Sequence, residues 1–192
     1  MKIEQDIKVK KLSDRVSVAT SFANDKTSIK SLVILPVIEK WKLWGLALWI
    51  VLWTICGLLI ISSYKIAQNS NQKIFIIVFA FFWIYYEWKM IQVFFWRKKG
   101  KEKLWIKDNK MFIEEFNGLK KKTQVFNLHD INRIEPTDFN DKSFSDFISL
   151  SFWSKGKPRI KINVLGKEHY FGYQLTDKEV SDILKEFKQF KS

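Results

Sequence analysis

Few side chains in this sequence have the types and spacing that a catalytic or metal site requires. The two histidines, His129 and His169, have no second histidine or cysteine near them at metal-ligand spacing. The single cysteine, Cys56, lies in an apolar run, which excludes a disulfide framework or a cysteine-rich zinc site within one chain. His129 precedes Asp130 as in half of an acid–base pair, but an aspartate there is more simply a turn residue. Without a glycine-rich phosphate loop or a nucleophile elbow, we expect no enzyme, no metal and no cofactor.

Glu87 is the one carboxylate in a long apolar stretch of the sequence. An acidic group inside a bilayer is costly and often marks an ion path or a contact between helices. Lys89 follows with Trp88 between the two charges, so both side chains could instead extend to the headgroup layer where the helix ends. The sequence leaves both interpretations of this intramembrane polar residue open.

Basic residues outnumber acidic ones and give the chain a formal net charge of +13. Such an excess attracts anionic lipid headgroups or nucleic acid, and cations near an anionic leaflet gain about 1 kcal/mol each. A nucleic-acid partner is disfavoured, since the sequence shows neither a basic–aromatic stacking platform nor a recognition helix. The lysines could also serve only topology and solubility. The candidate lipid- or partner-binding residues are Arg97, Lys98, Lys99, Lys101, Lys103, Lys120, Lys121 and Lys122.

Two long apolar segments position these residues. Residues 43–61 carry no charge and are long enough, at about 1.5 Å per residue, to cross a hydrocarbon core of about 30 Å. A second run begins at Ile74 and reaches Trp96, and the polar connection between the runs is too short to hold a domain. We predict an antiparallel transmembrane hairpin with helices at about 43–64 and 74–96. Buried helices of a soluble protein are the alternative, but the remaining chain is too small to enclose them.

The distribution of cations around the hairpin predicts its orientation. Lysines precede the first helix and a cluster from Arg97 to Lys103 follows the second, whereas the connection holds only Lys65 and Lys73. The positive-inside rule then places both termini in the cytosol, as in a multi-pass protein of the cell (inner) membrane. The polar N-terminal residues lack the pattern of a signal peptide, so we expect them to stay attached.

After the hairpin, short alternating segments separated by turn residues are typical of an antiparallel sheet. Asp108-Asn109 and Asn117-Gly118 are two-residue hairpin signals. Thr176 and Glu179 form a capping box for one C-terminal helix, whose apolar stripe runs from Val180 to Phe190. The predicted strands are residues 102–107, 111–116, 120–126, 131–135, 147–153, 159–164 and 169–173.

The segment before the hairpin also contains alternating stretches, at residues 7–9 and 16–18, followed by the apolar residues 32–35. We predict strands that pack onto the C-terminal sheet, because isolated strands cannot bury an apolar face. A tail that becomes ordered only at the bilayer is the alternative. The domain division is therefore 1–39 for the N-terminal β segment, 40–99 for the hairpin and 100–192 for the cytosolic domain.

Several residues resemble a family of small bacterial membrane proteins, mostly uncharacterised, that have two transmembrane helices and a cytosolic PH-like domain. The resemblance covers roughly residues 43–190 and implies a location and an α+β fold: a two-helix hairpin and a PH-like antiparallel β barrel or sheet with one C-terminal α-helix. It implies no catalytic residue. It is carried by Gly100 and Glu102, by Phe126, Leu128 and Ile131, and by Phe171-Gly172, Leu175-Thr176 and Glu179.

These patterns favour a non-enzymatic, membrane-anchored module that binds a protein partner or anionic lipid at the cytosolic face, as an accessory subunit of a membrane complex or alone. The alternative is a pore or transporter subunit whose hairpins form a homo-oligomer around Glu87. The two hypotheses differ in the oligomer and in the Glu87-dependent flux that only the second requires.

Overall fold

The computed structural model describes residues 7–22, 28–137 and 151–191, which form three α-helices and two antiparallel sheets. The first three strands precede the two long helices, and the remaining strands and the last helix follow them. The elements are β1 (Ile7–Lys11), β2 (Val16–Phe22), β3 (Ser28–Ile34), α1 (Lys40–Ser62), α2 (Ser70–Lys99), β4 (Lys101–Lys107), β5 (Lys110–Phe116), β6 (Lys121–Asn127), β7 (Ile131–Pro136), β8 (Pro158–Val164), β9 (Lys167–Tyr173) and α3 (Asp177–Lys191). The α+β class predicted from the sequence is confirmed.

Helices α1 and α2 are long and apolar enough to cross a membrane, with 23 and 30 residues. Only 11% and 6% of their most apolar windows are buried inside the structure. A pair of core helices in a soluble protein would be mostly buried, so this distribution favours contact with lipid.

The two long helices contact each other closely at Gly57. This glycine is buried, and a Cβ at its position would overlap the indole ring of Trp83 on α2. The same indole donates a hydrogen bond from Nε1 to the carbonyl oxygen of Trp53, at 3.2 Å. A small residue on one helix and an aromatic ring on the other thus set the spacing of the hairpin.

The larger sheet contains six strands in the order β1-β2-β3-β4-β5-β6, and the smaller one contains β7-β8-β9. Strand β3, from before the hairpin, pairs with β4, which follows it, and places Leu32 opposite Leu104. The N-terminal strands thus share a sheet with strands that come after both long helices. Apolar residues of both sheets and of α3 form one core, which includes Val16, Leu104, Ile160, Ile162, Phe171 and Ile183.

The two predicted hairpin turns differ in length. Asp108 and Asn109 have φ of 51° and 58° and join β4 to β5 in two residues, as predicted. The turn at Asn117-Gly118 is longer than predicted and covers residues 117–120. Here the side-chain Oδ1 of Asn117 accepts hydrogen bonds from the backbone N–H groups of Leu119 and Lys120, which extends the loop.

Six of the seven predicted strands after the hairpin correspond to β4–β9. The seventh prediction, residues 147–153, is wrong where the structure describes it: residues 151–154 form a turn closed by the Ser154 N–H donating to the Ser151 carbonyl at 3.2 Å. Residues 147–150 lie outside the described residues. The capping box of α3 is confirmed, with Thr176 N–H 2.8 Å from Glu179 Oε2. Val180, Ile183 and Phe187 are buried as predicted, whereas the side chain of Phe190 lies outside the description.

Candidate functional site

The predicted basic residues gather where α2 ends and the larger sheet begins. Lys98, Lys99, Lys120, Lys121 and Lys122 are exposed, while Lys101 and Lys103 are half-buried on β4. The Lys101 side chain extends over the ring of Phe116, with Nζ 5.8 Å from the ring centre, and Lys98 Nζ lies 5.5 Å from the ring centre of Phe94. Each of these ammonium groups thus makes a cation–π contact with a phenylalanine ring.

The lysines that follow β5 reach this place because the turn between β5 and β6 contacts the end of α2. Gly118, with φ of 85°, brings the chain so close to the Phe95 carbonyl that a Cβ would overlap it. Lys101 on β4 and Lys121 on β6 both pair with Phe116 on the strand between them. The two lysines therefore lie on the same face of the sheet. Two clusters separated in sequence therefore form one surface, which we call the lysine collar: Lys98, Lys99, Lys101, Lys120 and Lys121. Lys122 pairs with Glu115 and lies on the other face of the sheet.

An acidic neighbour reduces the charge of the collar at one point. Lys121 Nζ lies 2.6 Å from Glu114 Oε2, a carboxylate whose side chain is 10% exposed. Lys103 stands opposite Glu114 in the register of β4 and β5. The outward charge of the collar thus comes mainly from Lys98, Lys99 and Lys120.

Arg97, which the sequence grouped with these cations, has a different environment. It is 3% exposed, and its guanidinium donates to the side-chain oxygen of Gln174 at 2.8 Å and to the Val37 carbonyl at 3.3 Å. It also donates to the carbonyl oxygens of Ser154 and Ser151, at 3.0 and 3.4 Å. Arg97 therefore joins α2 to three other segments of the chain, and we leave it out of the collar.

An aromatic box beside the collar was not predicted from the sequence. Lys155 Nζ lies 3.8 Å from the ring centre of Tyr173 and 4.5 Å from that of Trp96, and it pairs with Glu115. The box consists of Trp96, Glu115, Tyr173 and Lys155, which come from α2, β5, β9 and the segment before β8. No local sequence pattern could have found it. The cation–π contacts join the end of α2 to the smaller sheet, and the ion pair with Glu115 adds the larger one.

Glu102 lies next to this box in the interior. Its Oε2 accepts hydrogen bonds from the backbone N–H groups of Gly172 and Tyr173, both at 3.0 Å, which joins β4 to β9. Burial raises the pKa of the carboxyl to about 7, although these hydrogen bonds and the charge of Lys155 oppose the shift. Burial also raises the pKa of the Tyr173 hydroxyl, and the neighbouring Glu115 and Glu102 carboxylates add to that effect.

Glu87 contacts the other helix of the hairpin. The Thr54 hydroxyl donates to Glu87 Oε1 at 2.7 Å, and Oε2 is buried with no hydrogen-bond partner among the described residues. The carboxylate thus makes an interhelical contact and keeps one oxygen that a proton, a cation or another chain could satisfy.

The remaining residues with chemical potential are dispersed. His129 is 94% exposed at the side chain and lies 3.9 Å from Asp130, which accepts a hydrogen bond from Asn127 at 2.9 Å as a turn residue does. The ring of His169 packs on Phe126, with 4.5 Å between the centres. Within the described ranges, no three histidine, cysteine or acidic side chains come together as metal ligands would. A cavity of about 970 Å³ between β7 and α3 is lined by none of the collar residues.

The chain thus consists of two membrane-length helices joined to a domain of two antiparallel sheets, with the collar at their junction. Comparison of this chain with protein-family models, with curated proteins and with solved structures finds no match. The family resemblance noted from the sequence stays a prediction.

Proposed function

We propose that this protein is a non-enzymatic module, anchored by its helical hairpin, that binds anionic lipid headgroups at the cytosolic face of the cell membrane. One observation carries the proposal. Exposed lysines from two distant parts of the sequence meet where α2 ends, at the level at which a spanning helix leaves the bilayer. A headgroup at this level could contact several ammonium groups at once, each contributing about 1 kcal/mol.

The orientation follows from the same charges. The collar and the lysines in the first turn of α1, Lys40 and Lys42, lie at one end of the hairpin, and among the described residues only Lys65 and Lys73 lie near the other. The positive-inside rule places the richer end, together with both sheets, in the cytosol. In a bacterium this would be the inner membrane.

We further propose that the two sheets and α3 form a PH-like domain. The order of many antiparallel strands followed by one amphipathic helix supports this, as do the residues that resemble the small bacterial family. The fold by itself carries no function, so lipid binding depends on the collar. A protein partner, with the chain as an accessory subunit, would use the same exposed surface.

A lipid-selectivity experiment on the full chain tests the proposal. Lys98→Gln, Lys99→Gln and Lys120→Gln together remove three collar cations. The matched control replaces Lys107, Lys110 and Lys167 with Gln, exposed strand-end lysines that flank the β4–β5 and β8–β9 turns. Native mass spectrometry would count phosphatidylglycerol and phosphatidylethanolamine molecules retained from mixed vesicles.

We expect the wild-type chain and the control variant to retain phosphatidylglycerol preferentially, and the collar variant to lose that preference. Higher salt should weaken the preference, since exposed charges are screened within about 10 Å at 0.1 M. Equal retention of both lipids by the wild-type chain would contradict the proposal and favour a protein partner at the collar.

The alternative, a pore or transporter subunit assembled around Glu87, is favoured by one observation, the buried Oε2 without a described partner. Glu87→Gln tests it in proteoliposomes and by crosslinking in native membranes. A defined oligomer and an ion flux that both disappear in Glu87→Gln would support this alternative. An unchanged monomer without flux would leave Glu87 as an interhelical contact to Thr54.

A further inference from the structure

Residues 151–154 form a turn with two aromatic side chains, Phe152 and Trp153, which we call the aromatic turn. Besides the backbone bond that closes it, Ser154 Oγ accepts from the Gly156 N–H at 3.1 Å. Trp153 is 46% exposed, so a large apolar surface remains outside the core. An exposed tryptophan on a fixed turn is typical of a contact with a partner or a membrane interface.

Arg97 fixes the aromatic turn to the end of α2. Its guanidinium donates to carbonyls at both ends of the turn, Ser151 at 3.4 Å and Ser154 at 3.0 Å, and lies 4.8 Å from the ring centre of Phe152. Because Arg97 is buried, these contacts are shielded from water. The turn therefore has a defined position relative to the hairpin.

From this position Trp153 contacts α1 within its apolar segment. Its ring centre is 5.6 Å from that of Trp49, and Trp49 stacks on Trp53 at 5.2 Å. Trp49 lies six residues beyond Leu43, where the uncharged run starts. At about 1.5 Å per residue, this places Trp49 about 9 Å along the helix from the start of that run. A bilayer that covers the uncharged run of α1 would also surround Trp153.

We propose that the aromatic turn inserts Trp153 into the bilayer as a third membrane contact beside the two helices. The occupant of its exposed face is lipid, because the face is continuous with the lipid-facing surface of α1. The third contact holds the sheets at a fixed tilt, with the lysine collar facing the headgroups. The inference rests on the proposed membrane anchoring.

Depth-dependent fluorescence quenching tests this insertion. The probe is the environment-sensitive fluorophore NBD, attached in separate full-length proteins to native Cys56, to Trp153→Cys and to Leu165→Cys, the last two with Cys56→Ser. Cys56 lies in α1 and Leu165 in the β8–β9 turn, where its side chain is 71% exposed. The vesicles carry nitroxide groups either near the headgroup or deep in the acyl chain.

We expect blue-shifted emission with quenching by the acyl-chain nitroxide both at position 153 and at Cys56, and an aqueous spectrum without quenching at position 165. An aqueous spectrum at 153 with a lipid spectrum at Cys56 would overturn the insertion alone. Aqueous spectra at both 153 and Cys56 would overturn the proposed anchoring itself.

A second measurement keeps an aromatic side chain at the turn. The photoreactive residue benzoylphenylalanine at position 153 should crosslink to lipid in native membranes and give an adduct with the mass of a phospholipid. A crosslink to a second copy of the chain or to another protein, in place of lipid, would contradict the insertion.

Discussion

The buried environment of Glu102 makes the stability of the folded protein depend on pH. The folded carboxyl holds its proton up to about pH 7, whereas the unfolded chain releases it near the ordinary value of 4.5. Between these values the folded state binds more protons, so its stability falls as the pH rises from 4.5 to 7 and is constant above. The carboxyl thus makes the junction of β4 and β9 weakest in neutral and alkaline solution.

Glu102→Gln should remove that decline. A glutamine oxygen can still accept from Gly172 and Tyr173, and no buried charge forms at high pH. The difference in unfolding free energy between the variant and the wild type should change by at most about 3 kcal/mol between pH 4.5 and 7. Thermal unfolding in detergent across this range measures it, with the exposed Asp14→Asn as the control. A decline in stability that persists in Glu102→Gln would show that ionisation of Glu102 is not its cause.

Glu179 stabilises the fold with the opposite pH dependence. Burial alone would raise the pKa of its carboxyl, but hydrogen bonds from Arg15, the Thr176 backbone and Ser13 lower it to about 2. Its contribution is therefore complete above pH 4.5 and is lost as the pH falls toward 2. The ion pair of Arg15 and Glu179 joins the turn after β1 to the start of α3.

Glu179→Gln should lower the free energy of unfolding by about 1–3 kcal/mol at pH 7, because Arg15, 13% exposed, loses its charged acceptor. The matched control is Lys10→Gln, which breaks the pair of Lys10, 67% exposed, with Glu186 and should cost less than about 1 kcal/mol. Urea unfolding of both variants gives the comparison. Equal losses of unfolding free energy in the two variants would contradict a larger contribution from the buried pair of Arg15 and Glu179.

Residue types alone predicted some of these roles and missed others. Thr176 and Glu179 were predicted as a cap because the capping box is local. The burial of Arg97, the pKa of Glu102 and the box around Lys155 depend on segments far apart in sequence, so no local pattern reports them. Arg97 is buried although Lys98 and Lys99 beside it in sequence are exposed.

Among the elements, the hairpin of α1 and α2 depends on close approach at Gly57. Gly57→Ala should lower the thermal midpoint, because the added Cβ overlaps Trp83 and separates the helices. The matched control is Gly45→Ala on the same helix, where a Cβ meets nothing within 4 Å. The alanine should stabilise the helix there by up to about 1 kcal/mol. Thermal unfolding in detergent distinguishes them, and equal midpoints would contradict the packing.

Elements with a strong pattern could be predicted, since alternation located β4–β9 and long apolar runs located the two long helices. The prediction at residues 147–153 failed at its described end because apolar residues there, Phe152 and Trp153, contact Arg97 and Trp49 instead of a neighbouring strand. An apolar run shows that a segment avoids water but does not show what it packs against.

In the whole molecule, the hairpin is inserted in sequence between strands of the larger sheet. Strands β3 and β4 are separated by the entire hairpin and pair directly, so both ends of the hairpin emerge at the same sheet. The collar, Arg97 and the aromatic turn all lie at this junction. A hairpin that spans the membrane then leaves its turn, residues 63–69, on the opposite side from both sheets.

Cysteine accessibility in intact bacterial cells tests this topology most directly. Asn69→Cys in the hairpin turn and Leu165→Cys in the β8–β9 turn, each with Cys56→Ser, would be treated with a membrane-impermeant maleimide. We predict labelling of position 69 in intact cells and of position 165 only after the membrane is opened. Labelling of both positions, or of neither, in intact cells would contradict a hairpin that crosses the membrane twice with its sheets in the cytosol.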